Sequence, residues 1–198
     1  MKNYEYIIAS LPVLQQDAAQ LPDTGALAEE IRGQLDDRDR AALDLLLQGF
    51  EPESLDSAFY LKATSHSNAF IRGYFAYDLQ VRNAKVRWLN ARLGRPAEQD
   101  TVSLVEDEAG PDCPEAYAAL GADDVLERER RLDDLMWAKV EEMTLMHVFD
   151  LDLILGFTAR LQIIGRWARL DPETGRGLFR RLVSGIRSTY DNKKNNLI

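Results

Sequence analysis

The side chains best suited to chemistry in this 198-residue chain are two histidines, one cysteine and a pair of adjacent glutamates. A metal site needs several donors at set spacings, and neither an HExxH motif nor a Glu-x-x-His pair of the di-iron kind is present. His66 falls in one half of the sequence and His147 in the other. His147 follows Met143 by one helical turn on the same apolar stripe, so it reads as a hydrogen-bonded histidine in or beside the core. Cys113 stands between Asp112 and Pro114 in an acidic stretch. Neighbouring carboxylates suppress the thiolate, and an unreactive surface cysteine is expected. Glu141 and Glu142 are consecutive, so on a helix they point ~100° apart and do not face each other as an acid–base pair. No GxxxxGK[ST] loop occurs, and Gly175-Arg176-Gly177 is too short to be a nucleotide-binding turn. The expectation is therefore no catalytic residue, no metal, no cofactor and no enzyme activity.

The elements that would position these residues read as helices almost throughout. Tyr4, Ile7, Ile8 and Leu11 follow the i, i+3, i+4, i+7 pattern until Pro12 interrupts it, with a short strand over 4–9 as the other reading. Thr24 is placed as the N-cap of a helix to Leu35, and Asp36 or Asp37 as the cap of a second to Phe50. The short join implies an antiparallel helical hairpin. Pro52 ends it, and another helix is expected over 53–64. Residues 67–93 form one long helical pattern, ~40 Å at 1.5 Å per residue, stopped by Gly94 and Pro96. Along it Phe70, Tyr74, Tyr77, Val81, Ala84 and Trp88 make one apolar stripe. Ile71, Phe75, Val86, Leu89 and Leu93 make a second, with Asp78 and Arg82 inside it as an i, i+4 ion pair at the core edge or a contact for a partner. Arg72, Gln80, Asn83, Arg87 and Asn90 form the stripe expected to face solvent.

Residues 98–114 hold most of the acids, glycines and prolines of the middle of the chain and read as a solvated linker or flap. The expected organisation is an N-terminal helical lobe over 1–97, an acidic linker or flap over 98–121 and a C-terminal helical lobe over 122–198, with packing as one domain left open. In the last part, helices are expected over 123–149, from an Asp150 or Asp152 cap to 170, and after Pro172 as far as Ile186. The helix beginning near Asp150 is apolar almost all round, which implies central burial or cover by a partner, and Gly156 and Gly165 allow close approach.

Composition narrows the partners. There are 33 acidic against 24 basic side chains, a net charge of −9, which repels phosphate backbones and anionic lipid. Nucleic acid is not expected as a partner. The longest apolar runs, such as 151–157, are far shorter than the ~20 residues that span a bilayer. Glu5 interrupts the apolar opening, so no secretory signal is read there, and a single cysteine agrees with a reducing compartment. A cytoplasmic protein without membrane insertion is the expectation.

Two stretches carry a resemblance. Asn3-Tyr4-Glu5-Tyr6-Ile7-Ile8-Ala9-Ser10-Leu11-Pro12 and Phe149-Asp150-Leu151-Asp152-Leu153-Ile154-Leu155-Gly156-Phe157, continued to Arg166-Trp167, resemble an uncharacterised bacterial family encoded in V-type ATPase operons. That family is similar, more distantly, to the C-type rotor component of A/V-type ATPases (the d-type component in eukaryotes), an all-helical funnel seated on the membrane c-ring that couples the ring to the rotor shaft. The funnel's Asp-then-Asn pattern has a looser counterpart in Asp78 and Asn83, followed by Lys85 and Arg87. Its aromatic–basic–Glu–Arg pattern compares with Phe157, Arg160 and Arg166, with Gln162 in place of the Glu. The resemblance implies an elongated all-α bundle, two lobes where the funnel has three, and a non-catalytic role linking the c-ring to the central stalk at the inner membrane's cytoplasmic face. The partner-contact candidates are Asp78 and Arg82 from the ion pair on the long helix, with Asn83, Arg87, Arg160 and Arg166 added from the comparison with the funnel. A helical adaptor or assembly factor for the same machine, and an enzyme of unrecognised type, are the other readings.

Overall fold

A computed structural model describes residues 4–16, 23–105 and 112–168. Among these residues there are eight α-helices and no strand, so the chain is all-α. No described helix is long and apolar enough to cross a membrane. The expected helix after Pro172 and the polar residues 191–198 lie outside the described residues. The chain divides into one compact unit, 1–163, and a second, 164–198. The described residues up to 163 belong to the first.

Most helices begin where an acid or amide can accept the free N–H groups of a first turn. Residues Glu5–Ser10 form α1 and so settle the opening as a helix, with Tyr4 and Ile7 buried. Helix α2 spans Thr24–Gln34, and its cap is Asp23, not Thr24: the Asp23 carboxylate accepts from the amides of Gly25 and Ala26. An aspartate one residue earlier outcompetes the hydroxyl because it is charged and meets the positive end of the helix dipole. Asp36 caps α3, Asp37–Gln48, through the Asp39 amide. Arg32 of α2 grips Asp44 of α3 with two hydrogen bonds, at 2.7 and 3.1 Å, and fixes the hairpin.

The helix expected over 53–64 splits. Pro52–Ser54 is one 3₁₀ turn, and Asp56 starts α4, Ser57–Thr64, afresh by accepting from the Phe59 amide. Helix α5, Ala69–Leu93, is capped by Asn68 and ends at Gly94, whose φ is +64°. There the Gly94 amide bonds the Ala91 carbonyl and the Arg95 amide the Asn90 carbonyl, the pairing that a left-handed residue after a helix makes possible. Phe70, Ile71, Tyr74, Phe75 and Leu79 are buried along α5. Phe59 of α4 meets Phe75 edge-on at 5.0 Å, a contact contributing about 1 kcal/mol beyond burial.

Residues 95–105 are largely exposed, as expected of a solvated flap, but their backbone is tied to α5 by side-chain hydrogen bonds. The segment folds back along α5, and Pro114–Leu120 form a further helix, α6, which packs on both α5 and α7, Val125–Thr144. Proline at its first turn and Gly121 after it are the ordinary boundaries of a helix. Helix α7 is capped by Asp124. Asp150 accepts from the Leu153 amide at the start of α8, Leu151–Ala168. Ile154, Leu155, Phe157, Leu161 and Ile163 of α8 are buried. A Cβ on Gly156 would meet the Thr144 and Val140 side chains at 2.4 and 3.2 Å, so this glycine does permit close approach, to side chains of α7.

Candidate functional site

Three helix N-termini, those of α3, α5 and α8, open onto one cleft of about 540 Å³. Both histidines line it, although they come from opposite halves of the sequence. His66 accepts from the Asn68 amide through Nδ1, at 3.1 Å, so that nitrogen carries no proton. Burial, then the positive charges of Arg72, Lys62 and Arg38, pushes the His66 pKa below its ordinary 6.5. His147 places Nδ1 2.6 Å from Asp150 Oδ2 and Nε2 3.8 Å from Asp152 Oδ2. It therefore lies at the edge of the core with its polar atoms engaged, as expected, but in the loop after α7, which ends at Thr144, and not on the helical stripe of Met143. Asp152 also accepts from the Asn68 side chain, which ties the first turn of α8 to the cap of α5. The Tyr4 hydroxyl donates to Asp39 across the N-terminus of α3. Arg38 completes the charged lining. Among the described residues no group of three or more His, Cys, Asp or Glu is placed to hold a metal ion.

His147 reaches the cleft from the stretch 145–149, whose other residues are apolar. The loop joining α7 to α8 exposes Leu145 (80 %) and Met146 (87 %), with Val148 and Phe149 also exposed. Its backbone is anchored: the Tyr4 amide donates to the Phe149 carbonyl at 2.8 Å and the His147 amide to the Thr144 carbonyl at 3.0 Å. A second exposed apolar group lies at the other end of α7. Val125 and Leu126 of its first turn and Leu89 and Leu93 near the end of α5 are all exposed. The antiparallel register of the two helices brings them to the same end, since Lys85 bonds Glu129 and the Arg128 guanidinium lies 5.0 Å from the Trp88 ring.

The residues singled out by resemblance fall in three settings. Asp78 and Arg82 do pair, with Arg82 Nε 3.0 Å from Asp78 Oδ2, and the buried Tyr60 hydroxyl donates to the same oxygen at 2.5 Å. Asn83 and Arg87 belong to the stripe expected to face solvent, yet Asn83 is only 2 % exposed and Asn90 is buried too. The reason is the returning chain. Asn83 donates to the Val102 carbonyl at 2.8 Å and accepts from the Val102 amide at 3.0 Å. Asn90 donates to the carbonyls of Ala97 and Gln99. Arg87 holds Glu98 at 2.8 and 2.9 Å and thereby lowers the pKa of that carboxyl. Arg160 of α8 lies 5.4 Å from the Trp137 ring, and burial lowers its pKa. Arg166 is exposed and belongs to the second unit.

Cys113 is not a surface cysteine. It is 1 % exposed, where α6 turns onto α5, and burial followed by the nearby Glu115 raises its pKa. The cleft itself has no motif; its sequence signal is the set of Asp and Asn caps at 36, 68 and 150, with Asp37, His66 and Asp152 within two residues of them.

This is an all-α chain with a charged cleft and exposed apolar side chains at both ends of α7; Tyr6, Val13, Leu61 and Val105 are exposed elsewhere. Residues 108–189, which include α6, α7 and α8, match a family model described as "Protein of unknown function (DUF2764)". No curated protein and no solved structure matches the chain.

Proposed function

We propose that the chain is a non-catalytic component of a V-type ATPase, similar to its C-type rotor funnel, linking the c-ring to the central rotor stalk through protein contacts. The observation that carries this reading is the pair of exposed apolar groups at opposite ends of α7. That helix has 20 residues, a span of ~30 Å. Clustered apolar exposure marks places where another protein sits, and two such places separated by a rigid helix are what a connecting piece needs. The resemblance of residues 3–12 and 149–167 supports the assignment to this machine. The same two stretches meet at the cleft rim, through the Tyr4–Phe149 hydrogen bond. In this reading the protein hydrolyses nothing, inserts into no membrane and lies at the membrane surface only through the complex. The test is purification of the V-type ATPase from the native host and mass measurement of the intact complex. One copy per complex is the expected result. Complete absence would remove the proposal, and a substoichiometric copy would replace it with an assembly factor.

A further inference from the structure

Asn83, Arg87 and Asn90 share one row of α5, and the chain that follows Gly94 engages all three. Asn83 pairs with Val102 in both directions, donating to its carbonyl at 2.8 Å and accepting from its amide at 3.0 Å. Asn90 donates to the carbonyls of Ala97 and Gln99 at 3.1 and 2.6 Å. Arg87 grips the Glu98 carboxylate at 2.8 and 2.9 Å, with Asp112 farther off at 3.9 Å. The row therefore reads main-chain groups at two points and a carboxylate between them. We propose that it is a docking site for an acidic segment of a partner protein, occupied at rest by residues 95–105 of the chain itself.

The two sides of this contact are unequally buried. Asn83 and Asn90 are buried, and the Arg87 side chain is only 11 % exposed. None of residues 95–105 is buried, and most are fully exposed. Val102 and Leu104 supply their apolar anchorage, each only partly buried against the core. Asp100 also stands at φ +64°, a left-handed conformation that disfavours a side chain. A segment held mainly by polar bonds from its neighbour, with few buried apolar groups, opens at low free energy. The row cannot stay empty, because buried amides and a guanidinium left unpaired are unfavourable. Another main chain that brings a carboxylate restores every bond that opening breaks. Arg87 sets the charge of that occupant. Asp112 is too distant to replace the paired bonds of Glu98, so a segment without an acid leaves the guanidinium short of its two-point partner. The resident segment displays the required pattern, an acid at 98 and, four residues on, the peptide groups of Val102.

The test uses the full chain and a fluorescein-labelled peptide of residues 95–105, with binding read by anisotropy. The parent chain should bind it weakly, because the tethered segment competes at an effective concentration on the order of millimolar. Glu98→Gln in the chain weakens only the resident segment, so affinity for the unaltered peptide should rise about tenfold. Adding Asn83→Ala or, separately, Arg87→Gln to that chain should remove the gain, with thermal melting confirming that each variant is folded. The Glu98→Gln form of the peptide should lose the gain as well, and it decides the point without touching the fold. Hydrogen exchange locates the peptide: the chain's own Val102 amide should exchange faster as it binds, with α7 unchanged. No tighter binding to the folded Glu98→Gln chain would overturn the proposal. So would equal binding of a scrambled peptide of the same composition, binding that survives Asn83→Ala and Arg87→Gln, or binding that leaves exchange at Val102 unaltered.

Discussion

Asp78 serves two donors through one oxygen, and the consequences of losing it differ for each. Arg82 is half exposed and can turn to water, whereas the Tyr60 hydroxyl is buried and has no second partner to find. Asp78→Ala should therefore cost about 1–3 kcal/mol, the range for leaving a buried polar group unsatisfied, and Arg82→Ala well under 1 kcal/mol. Urea denaturation of the two variants gives the comparison. Tyrosines also set the alkaline limit. Burial, with the Cys113 thiol next, pushes the Tyr77 pKa up from 10.0 to about 12, and burial raises that of Tyr60 further. A phenol whose folded pKa is raised contributes its full stabilisation below pH 10 and loses it as pH rises toward 12. Melting temperature should fall over that window, in step with tyrosinate absorbance, and the Tyr77→Phe variant should show a shallower fall. His66 acts in the opposite direction. Its folded pKa is lowered, so its contribution is complete above pH 6.5 and declines as pH drops below that value. His66→Gln should flatten the acid side of the stability profile.

Helix α5 shows what a polar stripe can conceal. Asn83, Arg87 and Asn90 have the spacing of a solvent-facing row, and the sequence pattern alone predicts that. The chain after Gly94 instead lies along this row, and each amide side chain substitutes for a peptide group in pairing with it. Periodicity separates apolar from polar faces; it does not separate water from folded-back backbone as the partner of the polar one. The asparagines were the available signal, since an amide offers a donor and an acceptor where lysine and glutamate offer one or the other. Asn83→Ala should cost about 1–2 kcal/mol and speed amide exchange at Val102 while leaving α7 unchanged. The bounds of α5 and the start of α7 were legible to within two residues, because caps and the Gly94 stop are local chemistry, whereas α7 ends at Thr144 and not at the expected 149. Helix α6 was not, because its seven residues hold too few apolar periods to stand out among acidic neighbours. The cleft was illegible for a different reason: its members come from four separate stretches, and only packing brings them together. Glycines make a further contrast between elements. Gly156→Ala drives a methyl against Thr144 and Val140 and should destabilise by about 1–3 kcal/mol. Gly73→Ala meets only the mobile end of Met143, so its gain in helix propensity should leave stability within about 1 kcal/mol of the parent. Chemical denaturation separates the two.

Apolar exposure at the two ends of α7 predicts separable losses. Leu126→Glu and Met146→Glu replace side chains that face solvent, so each should leave melting unchanged. Each should nevertheless abolish association with a different partner, which pull-down with the individual ATPase components reveals. If both variants lose the same partner, the ends do not act as separate contacts. The end opposite residues 145–149 bears Arg92 and Arg128. Those two arginines also make one end of the protein visible. The Trp88 ring lies 3.8 Å from the Arg92 guanidinium and 5.0 Å from that of Arg128, next to the exposed Leu89. Anything seated there must move one of the cations or remove the water around the indole. Trp137, bonded to Glu141 farther along α7, is undisturbed by the same event. Trp88 thus serves as a built-in fluorophore at that end of α7, and with Trp137 and Trp167 replaced by Phe a shift in its emission reports whether that end is occupied.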